Sequence, residues 1–338
     1  MKNIIILLFY AFLCIGIIIA CGKKNDPSAT NITLTGDPAI DDLTRKIAAN
    51  PNDPTLYAAR AGLFYEKDGF DEAIEDLKKA LALDSTNLTY LNVLADVYLD
   101  YYQSRLAIET LEKALALNPN STSTLLKMSE FQLILKKHED AMRTIDRVLR
   151  LDPQNADAYV LFGMNFKETG DTIRAINSFQ RAVELDPDQI DAWINLGQLH
   201  AALGNRIATR FFDNALLIAP NNVEALHAKA DYLQDQNDLP GAIALYRQIV
   251  GIDPQYEEAY YNAGLLYLDL DSLQQAYRQF DLAIKVEPTF VQAYYFRAVA
   301  SEMAGNLSRA KVDYEQTLRL APDYDKAREA LARLQDVQ

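Results

Sequence analysis

Beyond residue 21 the chain contains no cysteine; its two, Cys14 and Cys21, sit in the opening stretch of a 338-residue sequence. No disulfide framework can hold the remainder together. Histidine is almost as scarce. His138, His200 and His227 complete the set, and no pair of them has metal-ligand spacing. The sequence also lacks GxSxG, HExxH, a glycine-rich phosphate loop and a calcium loop with its terminal glutamate. With no catalytic constellation, metal set or cofactor fingerprint, the chain reads as a non-enzyme that takes no cofactor. Basic charge is short as well: 33 Lys and Arg face 47 Asp and Glu, for a net charge of -14. Phosphate backbones are held by clustered Lys and Arg, so nucleic acid is not an expected partner. What is present is ordinary for a folded protein, 49% hydrophobic and 24% charged residues.

One uninterrupted apolar run exists, at the start. Ile4 to Ala20 carries no charge, and Lys2 is the only charged residue before Cys21. The run is short for a membrane span, which takes about 20 apolar residues. It suits a secretory leader, with a basic start, an apolar middle and a small residue at the cut. The segment Ile18-Ile19-Ala20-Cys21 resembles the lipobox of bacterial lipoproteins. That resemblance implies a signal peptide over 1–20, acyl chains on Cys21 as the new N-terminus, and residence at a bacterial membrane. Two or more acyl chains make a stable anchor where one does not. Glycine after Cys21, rather than aspartate, is compatible with sorting to an outer membrane, facing the periplasm. The competing reading of the residues is an uncleaved anchor helix with an incidental cysteine. Residues 21–38 are polar, with two prolines, and read as a lipidated flexible tether.

The rest is self-similar. Ala73, Ala107, Ala141 and Ala175 lie 34 residues apart, and the series continues through Ala208, Ala242, Ala276 and Ala310 with one 33-residue step. Twelve residues after each alanine stands Ser85 or one of seven prolines, Pro119 to Pro322. A period of 34 marks a helical solenoid. The clearest unit, "ADAYVLFGMNFKETGDTIRAINSFQRAVELDPDQ", carries Tyr159, Phe162, Gly163, Phe166, Ala175, Phe179, Ala182 and Pro187. It closely resembles a tetratricopeptide repeat. The resemblance covers 54–324 as eight repeats: 54–87, 88–121, 122–155, 156–189, 190–222, 223–256, 257–290 and 291–324. It implies an all-α fold, a right-handed superhelical solenoid of helix-turn-helix units.

In the fourth repeat the pattern predicts helices over about 157–169 and 172–185, a turn at Gly170-Asp171 and a stop at Pro187. Gly163 and Ala175 are expected to let the two helix backbones approach closely. Residues 39–53 read as an N-terminal cap with Ile40, Leu43 and Ile47 on one face, and 325–338 as a C-terminal cap with Ala327, Leu331 and Leu334 inward. The fifth repeat, shortened at "GNRIA", is expected to kink the array.

The resemblance further implies that first helices line a concave groove, through the second, fifth, sixth, ninth, twelfth and thirteenth residues of each repeat. Those places hold thirteen acids against Lys127 and Lys167, with His227 neutral. Composition alone would give about seven acids. Asp157, Asp191, Glu224 and Glu258 fall at helix starts, where the macrodipole favours acids and no function is needed. Asp96, Glu130 and Asp231 fall in mid-helix, and Glu66, Asp100, Glu168, Asp235 and Asp269 near helix ends, where the dipole disfavours them. These eight, with Tyr261 and Tyr295 as anchor aromatics and Asn195 and Asn262 as amides for an extended peptide, are the candidate partner-binding residues; Cys21 is the lipidation site. Ordinary solvation of the acids and inward packing of the tyrosines are the competing readings.

The function expected is a membrane-anchored scaffold of the bacterial envelope that binds other envelope proteins or peptides, basic segments among them. A peptide- or solute-capturing lipoprotein and a non-catalytic subunit of an envelope complex stay open. The oligomeric state is not legible from the residues.

Overall fold

The fold follows from eight small solutions to the same packing problem. The structure, a computed structural model, describes residues 33–336, and these form eighteen α-helices and no strand. The expected signal peptide, Cys21 and most of the expected tether lie outside the described residues. The chain divides into two units, one ending at Ala107 and the other starting at Ile108, so that the boundary falls inside α5 (Ser104–Leu117). The first unit holds α1 (Pro38–Ala49), α2 (Pro54–Tyr65), α3 (Phe70–Leu83) and α4 (Leu88–Asp100). The second holds α6 (Thr122–Ile134), α7 (His138–Leu151), α8 (Ala156–Glu168), α9 (Thr172–Leu185), α10 (Ile190–Ala202), α11 (Ala208–Ile218) and α12 (Val223–Asp235). It continues with α13 (Leu239–Ile252), α14 (Glu257–Asp269), α15 (Leu273–Val286), α16 (Val291–Met303), α17 (Leu307–Leu320) and α18 (Asp325–Asp336).

Five of the first helices start on a side-chain cap, while α10, α14 and α16 have none. Asn87, Asn155 and Asn222 cap α4, α8 and α12 by accepting from Tyr90, Ala158 and Ala225 backbone N–H groups at 3.2, 2.9 and 2.8 Å. Such a cap contributes about 1 kcal/mol. Side chains also tie repeats to the proline stops: Tyr57, Tyr159 and Trp193, each fourth in its repeat, donate to the carbonyls of Pro51, Pro153 and Pro187. The turn between the two helices of every repeat needs one residue in the left-handed region. Gly170, Gly204 and Gly305 take it freely, while Asp68, Tyr102, Lys136, Asn237 and Asp271 take it at φ 52–61°. For a residue with a side chain that conformation costs about 1–2 kcal/mol.

Between the helices the packing unit is a pair of side chains, one from each. Gly163 was expected to bring two backbones together. The structure corrects this: a Cβ there would stand 2.6 Å from the Phe179 ring, so the glycine makes room for a ring. Gly197 and Gly264 do the same for Phe212 and Phe280, at 2.4 and 2.6 Å. Where the small residue is alanine the partner is Leu77 (with Ala61), Leu111 (with Ala95), Tyr246 (with Ala230) or Tyr314 (with Ala298), all buried. Phe179 then joins Ala175, Ala182, Val183, Ala192 and Leu196 in a core that continues from the fourth repeat into the fifth. No single hairpin could enclose that set, which is why stacking is obligatory.

The ends reuse the repeat. In the last repeat Arg297 grips Asp313 at 2.8 and 2.6 Å and reaches back to Asp281, sixteen residues earlier, at 2.7 Å. In the first repeat Arg60 grips Asp76 at 2.7 Å through both nitrogens and reaches back sixteen residues to Thr44 on α1 at 2.9 Å. Helix α1 thus sits against α2 as the second helix of a preceding repeat would. At the other end Ala327, Ala330 and Leu334 of α18 are buried and Leu331 packs beside them. The shortened fifth repeat is accommodated locally. Its second helix, α11, has 11 residues where the others have 14, and starts four residues after Gly204 instead of two, with Ile207 offering no side-chain cap.

Candidate functional site

First helices within the second unit lie side by side: α6 touches α8, α8 touches α10, α10 touches α12, and α14 touches α16. The candidate residues ride on these helices, and in the first unit on α2 and α4. Helix ends decide where the acids stand. Asp100, Glu168, Asp235 and Asp269 are the last residues of α4, α8, α12 and α14, and Glu66 is the C-cap of α2. All five are exposed. Each sits against the negative end of its helix dipole, at a cost of about 0.3–1 kcal/mol. Glu130, exposed on α6, precedes the helix end by four residues. Among the described residues Glu66, Glu130, Asp235 and Asp269 have no cation partner, whereas Glu168 stands 3.8 Å from His138 Nδ1 and Asp100 accepts from the Tyr65 hydroxyl. Asp96 is half-buried and engaged.

The remaining candidates are already committed within the array. Asn195 accepts from Lys167 Nζ at 2.6 Å and donates to the Asp191 carbonyl at 2.8 Å. Lys167 also donates to Gln198 at 2.8 Å, so one lysine links α8 to α10. Asn262 Nδ2 lies 3.2 Å from His227 Nε2, linking α14 to α12. On the other side of that imidazole Asp231 stands at 3.3 Å and also accepts from the buried Tyr246 hydroxyl at 2.6 Å. The hydrogen bond to Asp231 raises the His227 pKa above its ordinary value, against the opposing effect of burial, with Asp231 and Glu258 adding attraction. Burial pushes the Asp231 carboxyl up, but the bonds from His227 and Tyr246 outweigh it and leave its pKa low. Asn195 thus has both its amide oxygen and its amide nitrogen engaged within the array, and Asn262 its nitrogen.

The two tyrosines are half-buried. Tyr261 packs on Phe280, Phe290 and Phe296 with ring centroids 5.0–5.9 Å apart, and burial pushes its hydroxyl up to about 12. Tyr295 packs on Phe296, Tyr314 and Tyr324 at 5.1–5.7 Å. They form a continuous aromatic seam from α14 to the start of α18, and present edges more than faces. Two features were not singled out in the sequence. Asn92, at the fifth place of the second repeat, has a buried side-chain oxygen with no hydrogen-bond partner. His138 is the first residue of α7 and lies 3.1 Å from Asn165 Oδ1. Among the described residues no three His, Cys, Asp or Glu side chains form a metal-holding group, and no helix is long and apolar enough to cross a membrane.

Family models agree with the geometry. A model described as TPR repeat matches 163–204 and 230–271, and two described as tetratricopeptide repeat match 102–161 and 257–290. This is a tetratricopeptide-repeat protein. No curated protein matches the chain. Among solved structures, a tetratricopeptide repeat protein from Parabacteroides merdae is similar at 17% identity and a TM-score of 0.50, over 73% of this chain and 98% of that one. PilW, a type IV pilus biogenesis factor, is similar at 18% identity and 0.55, over 62% and 98%. The Cut9–Hcn1 hetero-tetramer of the APC/C is similar at 17% identity and 0.56, over 87% of this chain and 58% of that one. At such identities the likeness is one of fold. In tetratricopeptide terms, exposed acids close the first helices α2, α4, α8, α12 and α14, and side-chain bonds stitch α8 to α10 and α12 to α14.

Proposed function

We propose that this tetratricopeptide-repeat protein is a membrane-tethered scaffold of the bacterial envelope, held by lipid on Cys21 and binding basic segments of other envelope proteins along its first helices. The observation that carries the binding reading is the set of exposed acids on the first helices, most of them at helix ends, four of which have no cation partner: Glu66 and, in the second unit, Glu130, Asp235 and Asp269. Placed against the helix dipole, three of these and their neighbours Asp100 and Glu168 lower local stability, so a role in stability does not account for them. A negative surface of this kind steers basic partners at long range and weakens with salt. The tether reading rests on the Ile18–Cys21 segment and the polar stretch after it. An outer-membrane location facing the periplasm, with which Gly22 is compatible, belongs to the same proposal.

The test has two arms. Labelled palmitate should enter the wild-type chain in a bacterial host and fail to enter Cys21→Ser; equal labelling refutes the tether. A fluorescent, amidated peptide of alternating lysine and leucine should bind the full-length chain with an affinity that falls as salt rises. Changing Glu66, Asp100, Glu168, Asp235 and Asp269 to lysine together should abolish that binding, and retained affinity refutes the acidic surface.

A further inference from the structure

The repeats provide an internal control. At the edge of the second unit, where first helices end and second helices begin, two pockets occupy equivalent places four repeats apart. One lies between repeats three and four and measures about 360 Å3; the other, between repeats seven and eight, about 340 Å3. Their linings correspond residue by residue at a shift of 135: Met142 with Tyr277, Arg143 with Arg278, Phe166 with Ser301, Thr169 with Ala304 and Arg174 with Arg309.

The first pocket is closed chemically. The Phe166 ring forms its floor, and the Arg174 guanidinium lies 4.4 Å from the ring centroid. Both arginines have acids of their own: Arg174 bonds Asp171 at 2.6 Å, and Arg143 bonds Asp140. In the second pocket each of these elements is changed in one direction. Ser301 supplies no ring, and its hydroxyl turns away to donate to the Arg297 carbonyl at 3.0 Å. The place of Asp140 is taken by Gln275, that of Asp171 by Asn306, that of Glu139 by Gln274 and that of Glu168 by Met303. The two arginines stay. Arg278 and Arg309 are exposed and make no ion pair among the described residues; Arg309 lies over the Tyr277 ring at 5.8 Å. Nearby acids are engaged elsewhere, Asp281 and Asp313 by Arg297 and Glu302 by Tyr314 and Arg333. Asp271, in the turn before α15, does not line the pocket. In a chain of net charge -14 this is a cationic, ring-sized recess stripped of its acids.

We propose that the pocket between repeats seven and eight is a docking site for a partner polypeptide that presents an aromatic side chain next to a carboxylate. The ring packs against Ala300, Ala304 and Tyr277 in the pocket, and the carboxylate meets Arg278 and Arg309. Charge complementarity sets the sign of the partner, since two cations without counter-charges favour an anion. The N-termini of α15 and α17 open on the same edge and add to that preference, and Ser272 gives α15 no side-chain cap. The pocket lies on an edge bordered by exposed Met303 and Ala304, across which a chain can run. This site does not rest on the acidic surface proposed above, and its partner carries the opposite charge.

Three blocked peptides test it on the full-length chain by methyl NMR of Ala300 and Ala304: acetyl-Gly-Ser-Phe-Asp-Ser-Gly-amide, the same with Asn for Asp, and the same with Ala for Phe. The first should shift both methyl signals saturably, and the other two should bind at least tenfold more weakly. The double variant Arg278→Gln/Arg309→Gln should lose tenfold or more for the first peptide and nothing for the second. Ser301→Phe restores the residue found at the equivalent place, should keep the fold, and should remove binding. Equal affinity for the Asp and Asn peptides, or undiminished binding to Ser301→Phe, overturns the proposal. So does the absence of saturable shifts up to about 5 mM, the range of single-side-chain affinities. Equal binding of free phenylacetate overturns the choice of a polypeptide, and loss of self-association in the arginine double variant, with no peptide binding, assigns the pocket to a second copy instead.

Discussion

Gly163→Ala adds one methyl group to the chain and should destabilise it. The new Cβ would stand 2.6 Å from Phe179 Cε1, 2.7 Å from Cδ1 and 2.7 Å from Cζ, contacts that real Cβ atoms do not make. Phe179 is fully buried and cannot move aside. Overpacking of this kind costs about 1–3 kcal/mol, while alanine gains about 1 kcal/mol over glycine in a helix, so the net loss is about 1 kcal/mol. Phe179→Leu alone should also cost about 1 kcal/mol through the space it leaves. The double variant recreates the pairs Ala61–Leu77 and Ala95–Leu111, which the same architecture buries completely elsewhere. It should therefore lie within about 0.5 kcal/mol of the wild type, a coupling of about 1.5 kcal/mol against additivity. Urea titrations followed by far-UV circular dichroism and by the fluorescence of Trp193, the single tryptophan, would measure this. Trp193 packs against the cluster that contains Phe179, so it reports on these repeats. Additive losses would refute the idea that positions eight and twenty-four of a repeat are chosen as a pair.

Two further outcomes follow from local geometry. His227 should titrate above about 6.5 and His200 below it, because His227 is bonded to Asp231 while burial holds His200 down; imidazole NMR checks both. Since the His227 pKa is raised on folding, its contribution to stability is present in full below about 6.5 and lost as pH rises through the folded value. Asp231→Asn should bring the His227 titration back down, and an unmoved titration would refute the pairing. Lys136→Gly should raise stability by about 0.5–1 kcal/mol, because it relieves a left-handed residue at φ 56° but loosens the unfolded chain; a destabilised variant would show that the turn is held by the Lys136 side chain.

Helix boundaries were legible in the sequence because period, proline and asparagine repeat. The fourth repeat was expected to place helices over 157–169 and 172–185, and they occur at 156–168 and 172–185. Gly170 was legible as a turn residue, but the same turn at Tyr102 and Lys136 was not, because no local preference marks these side chains as left-handed. The role of Gly163 was misread for a related reason. A glycine in a helix announces that something comes close, not whether it is a backbone or the ring of Phe179 sixteen residues on. Reading positions eight and twenty-four together across all repeats would have revealed it. Asn195 and Asn262 were expected on first helices as amides for an extended peptide; their bonds to Lys167 and His227 run between repeats, at separations of 28 and 35 residues, which no local pattern displays.

In a repeat array the energy of stacking is common to all units, so function is better sought where equivalent places differ than where they agree. The eleventh residue of each repeat shows how to separate the two. Phe64, Tyr98, Phe166 and Tyr267 supply rings there. Gln132 does not, but its side chain accepts from Thr144 at 2.8 Å, a hydrogen bond in place of apolar packing. His200 stacks on Phe211 with centroids 4.9 Å apart, so a ring is kept. Leu233 keeps apolar bulk. Ser301 alone among these turns its polar group back onto its own helix and offers neither ring, bulk nor bridging bond. Loss of packing in a buried position is costly, and Tyr277, which stands where the fourth repeat meets Met142, supplies part of it against Ala300. Here it coincides with the removal of every acid that would have neutralised Arg278 and Arg309. The two arginines left without acids are the difference that the docking site proposed above would use, since a carboxylate brought by another chain supplies the missing counter-charge.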